Sequence, residues 1–263
     1  HAYGVEYGED NLVTASNQGR FGFHYQYDNL NRMEAEYLYV DGNYTNHYKR
    51  YTYTPGVNGS TTGLVSGIYF LKGTYEDNGN LTYTYDDVGN ISTIKENGVL
   101  KATYTYDPFG QLVREDNAWA NKTYLYIYDE GGNITQCRES PYTTGGIVEY
   151  TGGSTYSYAT GTEPDGNPVW KDLLTSYNGN TITYDAIGNP LNWGSDMTDL
   201  TWSNGRRLIS LKNGTNVIQY GYDKSGLRTR KYANGTYTFF DRDASGDLVH
   251  ETRNNGTNHL YYY

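Results

Sequence analysis

The chain has 263 residues, and its 20 Lys and Arg against 30 Asp and Glu give a formal net charge of −10. This acidic balance excludes the basic footprint of a nucleic-acid-binding protein, so no nucleic-acid partner is predicted. Cys137 is the single cysteine, which excludes an internal disulfide, and no stretch approaches the roughly 20 apolar residues of a membrane-spanning helix. With 32 Tyr against 6 Phe, most aromatic surface carries a hydroxyl group.

A nine-residue motif, Tyr-x-Tyr-Asp-x-x-Gly-x-Leu/Ile, recurs along the chain. Weaker copies begin at Tyr25, Ile182, Leu200, Tyr220 and Phe240, and the best copies are Tyr83–Ile91, Tyr104–Leu112 and Tyr126–Ile134. Neighbouring copies start about 20 residues apart, and two longer gaps, before Tyr83 and before Ile182, are near three such periods. A fixed period of this length is typical of repeat architectures.

A second turn signal, Asn-Gly, occurs eight times and alternates with the motif about every ten residues. These dipeptides begin at Asn58, Asn78, Asn97, Asn178, Asn204, Asn213, Asn234 and Asn255. Asn-Gly favours a type I′ hairpin turn, in which both residues have positive φ. The motif predicts a second kind of turn, in which the Asp side chain accepts the backbone N–H two residues later and the Gly adopts a left-handed conformation. Tyr and Thr alternate between the turns, as in Leu81–Tyr85, which predicts Tyr on one strand face and Thr on the other.

The predicted fold is therefore all-β, an array of antiparallel β-hairpins of about 20 residues each, forming a curved or spiralling sheet with little helix. We expect residues 1–263 to form one such array, a fragment of a longer one, because the chain stops at Tyr263 where the next motif would reach its Asp. The motif is missing near residues 37–72 and 138–171. Gly pairs and the Pro-rich segment Glu163–Pro168 predict irregular loop excursions there.

At these residues the sequence resembles the YD-repeat, or Rhs-repeat, family, and the match covers most of the chain. Members of that family form β-hairpin arrays that spiral into a hollow shell. In bacterial Rhs proteins, wall-associated toxins and insecticidal toxin complexes, the shell encloses a C-terminal toxin; in animal teneurins it belongs to an adhesion receptor. The residues that carry the resemblance are Tyr83, Tyr85, Asp86, Gly89, Tyr104, Tyr106, Asp107, Gly110, Tyr126, Tyr128, Asp129, Gly132, Tyr184, Asp185, Gly188, Tyr220, Tyr222, Asp223 and Gly226.

The resemblance implies a non-catalytic, structural role for these residues, in a bacterial protein that is secreted or attached to the cell surface or cell wall. Its expected partners are the remainder of its own shell and an enclosed toxin domain. No cofactor is implied, and no membrane insertion by this segment.

Exposed aromatic side chains offer an alternative function, a carbohydrate- or cell-wall-binding adhesin module. Aromatic faces stack on sugar rings, and the large, rigid anchors would be Trp119, Trp170, Trp193 and Trp202. The competing interpretation is that these rings pack within the sheet. A hydrolase is the weakest alternative, because evenly spaced Asp turns do not converge a pair of carboxylates.

Two segments invite a chemical interpretation but are better explained as turns. Asp241–Asp247 alternates acidic oxygens as a calcium loop does, yet Thr252 stands where an EF-hand has its bidentate Glu. Asp107–Gly110 resembles the Asp-Pro-x-Gly element of Rhs shells, where self-cleavage is thought to occur, but it lies inside an ordinary copy of the motif. The sequence has no histidine cluster, nucleophile elbow or phosphate loop, so neither a metal site nor a catalytic site is predicted.

Overall fold

The computed structural model describes residues 3–18, 21–76, 79–147, 149–161, 170, 172–242 and 248–260. These residues form β-strands and turns almost throughout, with one 3-10 turn at Val57–Gly59 and no α-helix. No helix in this part of the chain is long and apolar enough to cross a membrane. The chain divides into two compact units, His1–Ile127 with Arg138–Gly153 and Tyr128–Cys137 with Ser154–Tyr263.

The first unit contains a meander in which each strand pairs antiparallel with the next, except that β6 pairs with both β7 and β8. Its strands are β1 (Tyr3–Tyr7), β2 (Val13–Gln18), β3 (Phe21–Tyr27), β4 (Met33–Val40), β5 (Asn43–Pro55), β6 (Thr61–Lys72), β7 (Tyr75–Glu76), β8 (Leu81–Tyr85), β9 (Ile91–Glu96), β10 (Val99–Tyr106) and β11 (Leu112–Asn117). Three strands contain residues of both units: β12 (Lys122–Tyr128), β13 (Ile134–Pro141) and β14 (Gly152–Tyr158).

In the second unit, β15 pairs with β14 and β16, and seven further strands form a sheet in sequence order. These strands are β15 (Leu174–Tyr177), β16 (Asn180–Thr181), β17 (Met197–Ser203), β18 (Arg207–Asn213), β19 (Asn216–Tyr222), β20 (Arg228–Ala233), β21 (Thr236–Arg242), β22 (Leu248–Arg253) and β23 (Asn258–Leu260). The prediction of an all-β array of antiparallel hairpins is confirmed. A single continuous array over residues 1–263 stays a prediction.

Strand β8 shows why the Tyr-Thr alternation forms a strand with two different faces. Tyr83 and Tyr85 are half-buried, while Thr84 between them is exposed. The Thr84 hydroxyl hydrogen-bonds with Ser92 Oγ at 2.8 Å and with Thr93 Oγ1 at 2.6 Å across the hairpin. The register shifts between Thr84 and Tyr85, with Ser92 as the extra residue, so a β-bulge precedes the turn.

Residues 43–72 form a long hairpin whose register shifts twice near its turn, so the loop excursion predicted near residues 37–72 is wrong. Strands β5 and β6 are 13 and 12 residues long and pair from His47 opposite Lys72 to Pro55 opposite Thr61. The region is rich in Tyr and Thr, which favour extended backbone, and the strands therefore pair without the motif.

Residues 138–171 follow the expectation in part. Residues 142–147 and 149–151 lie outside strands, after which β14 begins. The segment Glu163–Pro168 lies outside the described residues.

Few aliphatic side chains are buried, as the composition predicts. They are Ala15, Ala35, Leu71 and Ala102 in the first unit, and Ile182, Leu200 and Leu211 in the second. Polar groups share the interior: Glu36 and Lys49 are almost fully buried, with 3.3 Å between carboxylate and ammonium. Burial, with a further contribution from the Glu36 charge, raises the pKa of Tyr51 to about 12.

Asn-Gly turns close hairpins at Asn97, Asn178 and Asn234. In these three turns φ is 48–50° at the Asn and 76–79° at the Gly that follows it. The flanking residues pair directly, so the loop has two residues and is type I′ as predicted. Asn213 departs from that prediction: it pairs with Asn216, and the two loop residues are Gly214, with φ of 58°, and Thr215.

Candidate functional site

Asp86 shows how the turn of the motif is built. Its Oδ1 atom accepts the backbone N–H groups of Val88 at 3.1 Å and Asn90 at 2.8 Å, and its Oδ2 accepts Asn90 Nδ2 at 3.0 Å. The Gly89 N–H donates to the Asp86 carbonyl at 3.1 Å, and Gly89 has φ of 94°. Asp suits this position because its short side chain satisfies donors that the tight turn leaves free, and Gly suits the positive φ.

The same turn recurs in the other copies. The carboxylates of Asp28, Asp107, Asp129 and Asp185 each accept the N–H groups of the second and fourth residues after them. Asp223 accepts the Ser225 hydroxyl and the Leu227 N–H. The left-handed position is occupied by Gly110, Gly132, Gly188 and Gly226, and by Asn31 in the Asp28 copy.

In five copies these hydrogen bonds lower the pKa of the turn carboxylate and so favour its ionised form. The Asn90 side chain is the first cause that lowers the pKa of Asp86, and the Arg32 guanidinium does the same for Asp28. Hydrogen bonds likewise lower the pKa of Asp129, Asp185 and Asp223. A catalytic general acid needs the opposite, a raised pKa, so these carboxylates do not suit that role.

The hydroxyl of the second Tyr of the motif joins one copy to the copy before it. Tyr106 donates to the carbonyl oxygen of Ile91 at 3.0 Å, and Ile91 is the last residue of the preceding copy. Tyr222 likewise donates to Leu208, at 2.8 Å. We call this contact the Tyr–carbonyl link. Its donors in the described residues include Tyr27, Tyr53, Tyr85, Tyr106, Tyr158, Tyr184 and Tyr222.

Trp202 makes the equivalent link in the degenerate copy that begins at Leu200. It occupies the position of the second Tyr, and its Nε1–H donates to the Pro190 carbonyl at 2.7 Å. Pro190 is the ninth residue of the preceding copy, so the geometry matches that of the tyrosines. An indole replaces a phenol here because both join an apolar ring to one hydrogen-bond donor.

Burial raises the pKa of each tyrosine hydroxyl that makes the link. Loss of hydration is the first cause for all seven, from Tyr27 to Tyr222. The neutral phenol is therefore favoured, and it is the form that can donate to a carbonyl.

The first Tyr of the motif has more varied surroundings. Tyr83 and Tyr104 are half-buried, and burial raises the pKa of both. The Tyr126 hydroxyl donates to Glu115 Oε2 at 3.2 Å, and the Arg228 guanidinium lies 5.3 Å from the centre of the Tyr220 ring. Tyr128 ends strand β12 beside its turn residue Asp129.

The four tryptophans lie in different environments. Trp119 and Trp170 are 47% and 57% exposed. Trp119 also donates from Nε1 to Glu96 Oε2 at 3.1 Å. Trp193 stacks on Tyr177 with the ring centres 5.5 Å apart. The indoles of Trp119 in the first unit and of Trp170 and Trp193 in the second unit are therefore exposed.

The two segments with a possible chemical interpretation are Asp107–Gly110 and Asp241–Asp247. Asp107 accepts the N–H groups of Phe109 and Gln111, the same two backbone contacts that Asp86 makes. Within the described residues, no group of three or more His, Cys, Asp and Glu side chains is placed to hold a metal ion. Asp241 Oδ2 and His250 Nδ1 are hydrogen-bonded at 2.9 Å, while residues 243–247 lie outside the described part of the chain.

The structure contains a further copy of the turn near the start of the chain, which the motif did not predict because Gly8 stands in place of the Asp. The Gly8 N–H donates to the Leu12 carbonyl at 2.8 Å, and Asn11 has φ of 63°. The next copy links back to it, because Tyr27 donates to Val13 at 2.9 Å. The sequence signal that could have indicated this copy is the spacing of Tyr7 and Val13, which are six residues apart like the second Tyr and the last residue of the motif.

Arg114 was also overlooked, and it fixes part of the region without strands. Its Nη2 donates to the carbonyl oxygens of Thr143 at 2.9 Å and Gly145 at 2.8 Å, and its Nε donates to Asp116 at 2.8 Å. Thr123, which is fully buried, also contacts Asp116 and Thr143. No sequence motif marks this network, since its members come from three separate segments.

Comparison with known proteins finds the same fold in toxin complexes. No family model and no curated protein matches the chain. The solved structure of the Photorhabdus luminescens Tc holotoxin pore matches with a TM-score of 0.55 and 16% identity, over 95% of this chain. TcdB2-TccC3, and TcdB2-TccC3 without its hypervariable C-terminal region, match with TM-scores of 0.55 and 0.54 at the same identity and coverage. This chain spans 15% of the length of each of those chains.

Proposed function

We propose that the chain is a non-catalytic, structural segment of a secreted YD/Rhs-repeat shell that encloses or presents a C-terminal toxin. The observation that carries this proposal is the Tyr–carbonyl link. It ties a hairpin to the one before it with the same two atoms in copy after copy. Such a device extends a sheet over any number of repeats, as the wall of a large shell requires.

The shared fold with the Tc toxin structures supports the proposal. A chain that matches over 95% of its length, yet spans 15% of its neighbours, fits a segment of a larger wall. The lowered pKa values of the turn carboxylates also favour a structural role over a catalytic one.

The partners of this segment would be the remainder of its own shell and an enclosed toxin domain, in a bacterial protein that is secreted or attached to the cell surface. Polar atoms at the array's faces, together with a net charge of −10, would keep such a wall hydrated. Residues 1–263 would then be one stretch of the array.

The test is electron microscopy of the secreted polypeptide that contains this segment, together with limited proteolysis of its C-terminal region. We expect the hairpins to lie in the wall of a hollow particle, with the C-terminal region resistant to protease until the wall is unfolded. If that region is digested equally fast in the intact and the unfolded particle, the shell proposal is wrong.

The second candidate is a carbohydrate- or cell-wall-binding module, which the exposure of Trp119 and Trp170 favours. An exposed indole face can stack on a sugar ring. The test is a glycan array with the unmodified chain and its Trp119→Ala and Trp170→Ala variants. The control variant is Trp202→Phe, because the Trp202 N–H already donates to the Pro190 carbonyl. Binding that both alanine variants reduce would support this candidate, and an array without signal would exclude it.

A further inference from the structure

Two tyrosines face each other across the hairpin of β20 and β21. Tyr232 pairs directly with Tyr237, and their ring centres are 4.7 Å apart with an interplanar angle of 46°. The rigid Asn234-Gly235 turn lies between them. Tyr237 is 38% exposed, so the pair is open to small oxidants and to radical carriers in solution.

Three other cross-strand tyrosine pairs are more widely spaced. The ring centres are 5.2 Å apart in Tyr37 and Tyr48, 5.4 Å in Tyr156 and Tyr177, and 5.6 Å in Tyr39 and Tyr44. Cross-strand ring pairs therefore recur in this tyrosine-rich chain, and the pair beside Asn234 is the tightest of these four. With a single cysteine, the chain has no disulfide of its own to join its strands covalently.

We propose that Tyr232 and Tyr237 are a site of dityrosine cross-linking by a haem peroxidase with hydrogen peroxide. Each phenol loses one electron and one proton, which gives two phenoxyl radicals. The ring carbons ortho to the two oxygens then form a C–C bond, and each ortho hydrogen moves to the phenol oxygen. The product has lost two hydrogens in total, and one hydrogen peroxide takes up both electrons and both protons to become two waters.

The geometry favours coupling within one chain. Radical coupling requires two rings in contact, and the paired strands hold these rings side by side before oxidation begins, which removes the diffusional step. The product would fasten two neighbouring strands across a turn. This inference goes beyond the proposed shell function and does not depend on it, because the chain alone can be tested.

The experiment is oxidation of the dilute full chain with a haem peroxidase and hydrogen peroxide, followed by tryptic mass spectrometry and dityrosine fluorescence. Lys231 and Arg242 bound a tryptic peptide, residues 232–242, that contains both tyrosines and no internal Lys or Arg. We expect this peptide to appear with a mass lower by two hydrogens. The Tyr237→Phe variant should lose that product.

The matched control is Tyr150→Phe, which also removes one exposed tyrosine hydroxyl, from a ring that packs near Arg138. This variant should retain the cross-linked peptide, and circular dichroism should show the same strand signal for both variants. An unmodified 232–242 peptide alongside cross-links elsewhere would overturn the proposal. So would a product found only between two chains, with two copies of the peptide joined.

Discussion

The hairpins of residues 81–117 and of residues 43–72 have the same architecture but different turns. The first region carries the full motif, and Asp86 and Asp107 cap its turns. In the second, a Ser60 hydroxyl that donates to the Val57 carbonyl at 2.7 Å is the side-chain contact of the turn, and no Asp is present. Both regions nevertheless form antiparallel hairpins, and the second one is the longer.

The feature that both regions share is the Tyr–carbonyl link. Tyr53 donates to Met33 at 2.7 Å although no Asp follows it, and Tyr85 donates to Val65. The Asp turn shapes one end of a hairpin, whereas the link joins a hairpin to its predecessor. The array therefore depends more generally on the tyrosine that makes the link than on the aspartate of the motif.

The largest expected effect is the loss of the whole ring in each region. Tyr53→Ala and Tyr85→Ala should each lower the free energy of unfolding by about 2–3 kcal/mol, because each removes a half-buried aromatic ring together with its link. Urea unfolding measures the change in the free energy of unfolding, and equal m-values show that the variants unfold in the same way. If Tyr53→Ala is neutral while Tyr85→Ala is not, the link is a feature of the full motif alone.

Substitution of the turn glycine Gly110 should show how much the turn conformation, as distinct from the paired strands, contributes to stability. Gly110 has φ of 78°, and a Cβ atom there would meet no heavy atom within 4 Å. Gly110→Val should therefore cost about 1–2 kcal/mol through backbone strain and not through a clash. Gly110→Asn is the control, because Asn31 adopts the same conformation in the Asp28 copy; thermal unfolding of both variants gives the comparison. Equal costs for Val and Asn would contradict this explanation.

Much of the fold could be predicted because its determinants are local. Asp86 and Gly89 lie within one turn, and Asn97-Gly98 within another, so the residues themselves specify the hairpins. Where the motif is missing, as in residues 37–72, the same reasoning failed, because β5 and β6 are held by strand propensity and pairing. The Gly214-Thr215 loop shows that register can also override a turn signal.

The link itself could not be predicted, since it is not local. Tyr85 and Val65 are 20 residues apart, and the spacing between donor and acceptor changes from one copy to the next. Trp202 was predicted as a sugar-stacking candidate, a role that stays untested, while its N–H makes the link. The motif alignment already places Trp202 at the position of the second tyrosine, but only the structure shows that its N–H donates to the Pro190 carbonyl.

Removal of the hydroxyl alone should have a smaller effect in both regions. Tyr53→Phe and Tyr85→Phe should each cost about 1 kcal/mol, because a partly buried carbonyl loses its donor while the ring remains. Tyr83→Phe is the matched control, in the same strand as Tyr85. Urea midpoints of the three variants measure the difference, and a control as costly as Tyr85→Phe would mean that the hydroxyl contact adds nothing.

The smallest effect is expected from acid, and it should distinguish the two kinds of turn. The pKa of Asp86 is lowered by folding, so its contribution to stability is complete above the unfolded pKa near 4 and is lost as the pH falls through the lower folded value. Asp28, Asp129, Asp185 and Asp223 share this direction. Unfolding temperatures should therefore fall between about pH 4 and pH 2.

Asp86→Asn should make that decrease shallower, because the amide retains the shape of the side chain but does not titrate. Ser60→Ala, in the turn without an aspartate, should leave the acid profile parallel to that of the unmodified chain. Differential scanning calorimetry from pH 7 to pH 2 compares the three proteins. Parallel profiles for Asp86→Asn and the unmodified chain would place the acid sensitivity elsewhere, among carboxylates such as Glu36 that pair with lysine inside the sheet.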